Sequence, residues 1–281
     1  MRRCARRAIR RARPSSQCPK PKAQRRQASE ACSPQPEDWS EAARSPVTKT
    51  TTHEPVITID GPSGAGKGSV SRAVAKKLGC RYVDTGAMYR AVAWMATHDG
   101  LALDDEPAVS ALADRVEMTL DDQTVLIEGH DVTSAIRTAH IDAAAARVAR
   151  MPAVRDVLVR RQRAYAAAGG LVMEGRDIGT TVFPEADVKI YLDASPEERA
   201  VRRASDPAHG LGRPKAALSS VASALEARDH SDRTRKSSPL VKAGDAVHVD
   251  TTGTPLDGVV EQVLDIVRQR LAAAGFSTHF I

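Results

Sequence analysis

Lys67 and the hydroxyl of Ser69 stand at the end of Gly61-Pro62-Ser63-Gly64-Ala65-Gly66-Lys67-Gly68-Ser69, directly after the apolar run Val56-Ile57-Thr58-Ile59 and before a helical pattern. Small residues let the backbone curl until several N–H groups point inward at phosphate oxygens. The following helix N-terminus adds its dipole, and a lysine adds a full positive charge. Such a loop holds the phosphates of a nucleotide. Its common form places Ser or Thr directly after the lysine to ligate magnesium, whereas here that slot is Gly68 and the hydroxyl comes one residue later.

Three further stretches carry groups suited to polyanions. Asp84-Thr85-Gly86-Ala87-Met88-Tyr89-Arg90 opens a helix running to about Thr97. Asp84 or Thr85 reads equally well as that helix's N-cap, but Tyr89 and Arg90 add a hydroxyl and a guanidinium close to the same start. Leu171-Val172-Met173-Glu174-Gly175-Arg176-Asp177 is an apolar run ending in charge, as in a buried parallel strand that delivers polar groups at its C-terminal end. Ligands of open α/β sheets sit there, so Glu174, Arg176 and Asp177 converge on the side of the phosphate loop. Arg228-Asp229-His230-Ser231-Asp232-Arg233-Thr234-Arg235-Lys236 is too polar for a core and suits a mobile lid whose arginines close over phosphates.

The elements that must position these groups follow from periodicity. Val70, Val74 and Leu78 share a face of a helix that stops at Gly79. A helical pattern over Leu101 to about Leu120 runs into alternation, with Val116–Leu120 and Thr124–Ile127 forming a β-hairpin and Glu128–Asp131 a further turn, in which His130 faces solvent with no His or Cys beside it. An alanine-rich helix from Ala135 to about Val148 and another after Pro152 follow; Arg160, Arg161 and Arg163 of the latter read mostly as a solvated face. Val188–Leu192 is a strand ending at Asp193, and Ser195 with Glu198 makes a capping box for the next helix. A helix near Leu218–Ala227, a strand Ala246–Asp250 and a helix Leu256–Leu271 complete the chain. About five strand–helix alternations with ligand groups at strand ends predict a three-layer α/β/α P-loop fold with a parallel sheet, a hairpin-bearing insert over about 84–165 and a mobile lid over about 205–237.

Charge divides the chain in two. Residues 1–54 carry 13 Lys or Arg against 5 Asp or Glu, leaving 28 basic and 30 acidic groups for residues 55–281. The basic character of the whole therefore comes from the first stretch, and no nucleic-acid affinity is expected of the folded body. That stretch, with eleven basic residues before Glu30, reads as disordered. It also resembles an organellar transit peptide, though without large apolar residues for an amphipathic face; a solvated tail and a mis-called start codon are the other readings. It holds Cys4, Cys18 and Cys32, and Cys80 reads as a small packing residue. No secretory or membrane-spanning run is expected, and the protein is expected to be soluble and cytoplasmic.

Four ordered motifs resemble those of the bacterial-type cytidylate (CMP) kinases, a branch of the nucleoside monophosphate kinases. They are Ile59–Gly68, Asp84–Arg90, Glu174–Thr180 with Val182-Phe183-Pro184, and Asp250-Thr251-Thr252-Gly253, within a likeness running from about Pro55 to Val267. The resemblance implies a monomer of pyrimidine nucleotide metabolism that passes the γ-phosphoryl of Mg-ATP, held on Gly61–Ser69, to CMP or dCMP. It implies Lys67, Arg176 and Arg235 as catalytic. Thr85, Tyr89, Arg90 and Arg176 would hold the acceptor phosphate, with Asp84 beside them. Arg155 and Asp177 would read cytosine, and Arg228 and Asp232 would meet the sugar. Phosphoryl transfer between polyanions asks mainly for positive charge and in-line placement, which Lys67 and the arginines supply. Ala146 and Ser231 depart from the family's frequent serine and arginine, and Ser69 from its threonine. With Gly68 offering no oxygen, Mg2+ is expected to be held mainly by phosphates and waters, with Glu174 orienting those waters. The alternatives are a P-loop kinase for UMP, AMP or a non-nucleotide hydroxyl, which should lack an acid beside the acceptor-phosphate arginine, and a nucleotide-binding switch, whose Asn-Lys-x-Asp motif is absent.

Overall fold

The computed structural model describes residues 53–206 and 218–276, all of which belong to one unit. The basic stretch with Cys4, Cys18 and Cys32, and residues 207–217 of the expected lid, lie outside the described residues.

Strand β1 (Val56–Asp60) is flanked by β6 (Leu171–Gly175) and β7 (Val188–Asp193), with β2 (Arg81–Asp84) and β8 (Val247–Asp250) outside them. All pairings are parallel, in the order β2-β6-β1-β7-β8. Register places Asp60 beside Gly175 and Tyr191, and Asp84 beside Glu174. The ends of β1, β6 and β7 form one edge, as expected from apolar runs that finish in charge; Tyr82-Val83, on sequence alone a short apolar turn, is instead strand β2 and brings Asp84 to the same edge. Helices α1 (Lys67–Leu78) and α8 (Leu256–Ala273) cover one face, where Ile57, Ile59, Val74, Val263 and Leu264 are buried together. Val83, Met173 and Ile178 are buried with Val159 on the other. Burial on both faces accounts for the near-continuous hydrophobic strands.

The insert has its own core. Helices α2 (Thr85–His98), α3 (Glu106–Arg115), α4 (Ala139–Val148) and α5 (Pro152–Ala164) pack around Val92, Leu112, Ile136 and Leu158. A small antiparallel sheet of β3 (Met118–Leu120), β4 (Val125–Ile127) and β5 (His130–Asp131) adds Ile127. After β7 come α6 (Pro196–Ser205) and α7 (Leu218–Thr234). No helix among the described residues is long and apolar enough to cross a membrane.

Several local expectations are corrected. Helix α3 starts at Glu106 rather than Leu101, because the Asp105 carboxylate accepts the Ala108 N–H and caps it there. The helix expected from Ala135 is broken, since Thr138 caps α4 after a single 3-10 turn over Ala135–Arg137. The expected hairpin has a third strand, and His130 within it lies beside His98 and Trp94 of α2, with ring centroids 5.4 and 5.7 Å away. Only half of the capping box forms. Ser195 accepts the Glu198 N–H, but Glu198 pairs with Arg202 and the Ser195 N–H goes to Thr252. Arg161 and Arg163 are not simply solvated: they donate to the carbonyls of Asp114, Val116, Thr181 and Val182. Helix α7 continues to Thr234, so Arg228 to Thr234 are helical and only Arg235 and Lys236 of that segment lie beyond it.

Candidate active site

A cleft of about 960 Å³ opens at the carboxyl edge of the sheet, between the phosphate loop, the start of α2, the end of β6 and α7. Its phosphate-loop side is set by glycines. Gly61 leaves β1 at φ 149°, and a Cβ there would lie 2.0 Å from the Leu192 carbonyl oxygen, so only glycine passes β7 this closely. Gly66, at φ 87°, sits in the left-handed region and caps α1. Lys67 is the first residue of that helix. Its ammonium is buried and donates to the Pro62 carbonyl at 2.7 Å, closing the loop on itself. Burial, and next the neighbouring Arg176, lower its pKa to about 7, against the pull of Glu174 and Asp229. Ser63 to Ser69 line the cleft, whereas Gly61 and Pro62 stand behind it and shape the loop.

Asp60, at the end of β1, turns its carboxylate to the N–H groups of Ile178 at 2.9 Å and Gly179 at 2.8 Å. Those two bonds hold the single π-turn Ile178–Val182 that follows Asp177. Burial nonetheless raises the Asp60 pKa to about 6. The carboxylate of Glu174 accepts the Tyr82 hydroxyl, and its Oε1 lies 3.0 Å from where a Cβ on Gly68 would stand. Glycine in the usual hydroxyl slot thus makes room for Glu174. Burial, then the charge of Asp84, raises the Glu174 pKa.

Across the cleft, at the start of α2, Asp84 does two things at once. It caps α2 by accepting the Ala87 N–H at 3.0 Å, and it pairs with Arg90 at 2.8 Å. Burial opposes its ionisation, but Arg90 and then Arg137 hold its carboxyl below the usual range. The Thr85 hydroxyl donates to the Glu174 carbonyl at 2.7 Å, tying α2 to β6. Arg176 reaches three ways, to Asp232 at 3.0 Å, to the Ser63 hydroxyl at 2.8 Å and to the Gly175 carbonyl at 3.2 Å. Asp177 is buried between Arg155 and Arg235, and the Arg155 guanidinium lies 5.5 Å from the Tyr89 ring centre. Arg228 faces Asp142 of α4 at 3.5 Å, and burial, then Arg176, lowers its pKa to about 10. Asp84, Thr85, Tyr89, Arg90, Glu174, Arg176, Asp177, Arg228, Asp232 and Arg235 all line this one cleft. Arg155 does not line it and supports Asp177 from behind. Ala146 lines it, and Ser231 does not.

A family model for cytidylate kinase matches residues 57–269. The chain belongs to the cytidylate kinase family. That span is close to the Pro55–Val267 of the motif resemblance. Over 228 residues it is 43% identical to the cytidylate kinase of Shewanella amazonensis, covering 79% of this chain and 98% of that one. Over 218 residues it is 44% identical to the cytidylate kinase of Desulfitobacterium hafniense, covering 76% and 93%. A bifunctional pantoate ligase/cytidylate kinase of Trichormus variabilis is 46% identical over 226 residues, covering 78% of this chain but 42% of its own length. The chain therefore spans less than half the length of the bifunctional relatives it matches.

For a member of the cytidylate kinase family, sequence reasoning missed groups that hold the cleft's walls in place, some lining it and some behind it. Asp60 and Tyr82 steady the π-turn and Glu174. Arg199 and Asp229 hold the phosphate loop, and Arg202 clamps Thr251 through its hydroxyl at 2.8 Å and its carbonyl at 2.7 Å. The one sequence signal for them is helical spacing: Asp229 and Asp232 stand three apart on α7, as do Arg199 and Arg202 on α6.

Proposed function

We propose that this chain transfers the γ-phosphoryl group of ATP to CMP or dCMP, giving ADP with CDP or dCDP. The observation that carries the acceptor assignment is Asp177, a buried carboxylate beside Arg176 and between Arg155 and Arg235. A carboxylate accepts from the amino group of cytosine, a bond that the carbonyl of uracil cannot supply, and Arg155, behind the cleft wall, would hold Asp177 in place for it. Arg176, Arg90, Thr85 and Tyr89 would hold the acceptor phosphate, with Asp84 fixing Arg90. Arg228 and Asp232 would meet the sugar. Ala146 offers a methyl group where a hydroxyl could have met the base.

The backbone amides of the loop and Lys67 would cradle the donor phosphates. Arg176 and Arg235 would then carry the charge that builds up on the transferring group, their planar forks gripping two oxygens at a time. The barrier falls by charge placement and in-line approach rather than by covalent chemistry. Among the described residues no three His, Cys, Asp or Glu side chains gather to hold a metal by themselves. With Gly68 bringing no oxygen, this donor set fits magnesium held chiefly by phosphates and waters, with Glu174 orienting the waters. Bound magnesium would neutralise charge on the β and γ phosphates. Every group named comes from one chain, and we read the protein as a monomer of the cytoplasm, with residues 84–165 as acceptor insert and 205–237 as a lid. Residues 1–54 are read as a separate basic tail.

The decisive experiment offers CMP, dCMP, UMP and AMP separately to purified protein with Mg-ATP and follows ADP release. The cytidine nucleotides are expected to be preferred, and equal rates with all four acceptors would sink the assignment.

A further inference from the structure

Ser63 is grasped at all three of its polar groups by residues from outside the phosphate loop. Its N–H donates at 2.9 Å to Asp229 of α7, its carbonyl accepts at 3.0 Å from Arg199 of α6, and its hydroxyl accepts from Arg176. Asp229 and Arg199 are themselves an ion pair, with Asp229 0% exposed. Helix α6 is pressed against the loop, since a Cβ on Gly64 would lie 3.0 Å from both the Cβ and the carbonyl oxygen of Arg199. Burying such a pair costs desolvation that an apolar pair would avoid, so its use is in fixing a geometry rather than in adding stability.

We infer that Asp229 of α7, the helix carrying the acceptor-side groups, and Arg199 of α6 are a positioning pair that sets the shape of the donor loop. The Ser63 N–H is committed to Asp229, so the amides offered to donor phosphates begin at Gly64. The same helix turns Arg228 and Asp232 toward the acceptor side, and Asp232 holds Arg176, which returns to Ser63. Donor loop and acceptor helix are thereby one hydrogen-bonded body. The inference rests on the reading of the loop as the donor site. It is independent of which acceptor the enzyme prefers, because it is tested by binding of ADP.

The test is titration calorimetry of the full chain with Mg-ADP and, separately, with CMP. Asp229→Asn keeps an acceptor for the Ser63 N–H but loses the charge that holds Arg199. It is expected to weaken ADP by roughly 10-fold and CMP by less than about 3-fold, the loss of a charge-assisted buried bond being felt at the loop. Arg199→Lys keeps the charge but not the fork, and should fall between wild type and Arg199→Met. In the double variant Asp229→Asn/Arg199→Met the ADP loss should be no larger than in the worse single variant. Unchanged ADP binding in Arg199→Lys and Asp229→Asn overturns the proposal. So does equal weakening of ADP and CMP, which would make the pair a fold contact only. If Asp229→Asn does not fold, the Arg199→Lys constants decide by the same two comparisons.

Discussion

Asp177 is shared by two arginines from different elements: Arg155 of α5 donates to one carboxylate oxygen, and Arg235, just past α7, donates to the other at 3.1 Å. The carboxylate thus ties α5 to the segment that follows α7, and it reads the base only if it can also take a hydrogen bond from the ligand. Asp177→Ala removes that acceptor, takes from Arg155 its carboxylate partner and leaves Arg235 with the more distant Asp232 at 3.7 Å. We expect kcat/KM for CMP to drop roughly 100-fold and the preference for CMP over UMP to drop roughly 10-fold, both read by ADP release. Equal losses with CMP and UMP would mean that the carboxylate only organises its arginines.

Lys67 yields a pH prediction. With its pKa lowered to about 7, the free protein carries a neutral amine here above that pH, and donor phosphates draw the proton back. ATP binding at about pH 8 should therefore take up a proton, and the KM for ATP should rise as pH increases beyond about 7. Calorimetry in two buffers of different protonation heat measures the uptake. Lys67→Met should abolish it and lower kcat roughly 100-fold or more; a persistent uptake in that variant would place the titrating group elsewhere.

Asp60 gives stability a slope of the opposite kind to that of an ordinary paired carboxylate. Its pKa is raised on folding, to about 6, so between about pH 4 and 6 the native state binds more protons than the unfolded chain and its contribution to stability falls as pH rises. A rise from 3.8 to about 6 corresponds to at most about 3 kcal/mol. Urea unfolding of wild type and Asp60→Asn across this range should show the difference between their stabilities shifting in favour of the variant as pH increases. A difference that does not change with pH would show that Asp60 titrates no differently in the folded state.

Two glycine substitutions should separate folding from function. Gly61→Ala places a methyl 2.0 Å from a backbone oxygen at φ 149°, and should prevent stable folding as seen by loss of a cooperative thermal transition. Gly68→Ala meets closely just the tip of Glu174 at 3.0 Å, with the Tyr82 hydroxyl at an ordinary 3.6 Å, so the fold should survive with a stability change below about 1 kcal/mol. If Glu174 orients the waters of magnesium, kcat should still fall roughly 10-fold and the magnesium concentration needed for half-maximal rate should rise. Unaltered magnesium dependence would count against that role of Glu174.

Much of the fold was legible because it is written locally. Strand, glycine loop and helix follow one another from Val56 to Leu78, so the conformational demands of Gly61 and Gly66 and the face of Val70, Val74 and Leu78 are visible without any distant contact. The apolar runs ending at Glu174 and Asp193 announced parallel strands with ligand groups on one edge, and register bore this out, whereas Tyr82-Val83, on sequence alone a short apolar turn, is strand β2, held by its pairing with β6. Boundaries were less legible. Thr138 was hidden in a run of helix formers, although its side chain ends one turn and starts α4. Helix α7 looked too polar to continue past Ala227, yet packing buries Asp229 and Asp232 on its inner face and carries it to Thr234.

The sequence by itself determined the phosphate loop, the strand ends that face it and the family to which the chain belongs, because glycine positions, periodicity and ordered motifs are properties of neighbouring residues. Only the tertiary structure decided which charge meets which. The choice of Asp229 for the Ser63 N–H, 166 positions away, of Asp60 for the π-turn, 118 and 119 positions away, and of two arginines for Asp177 depends on how closely separate elements approach. A buried charge takes the partner that packing brings within hydrogen-bond reach, and a one-dimensional pattern does not carry that distance.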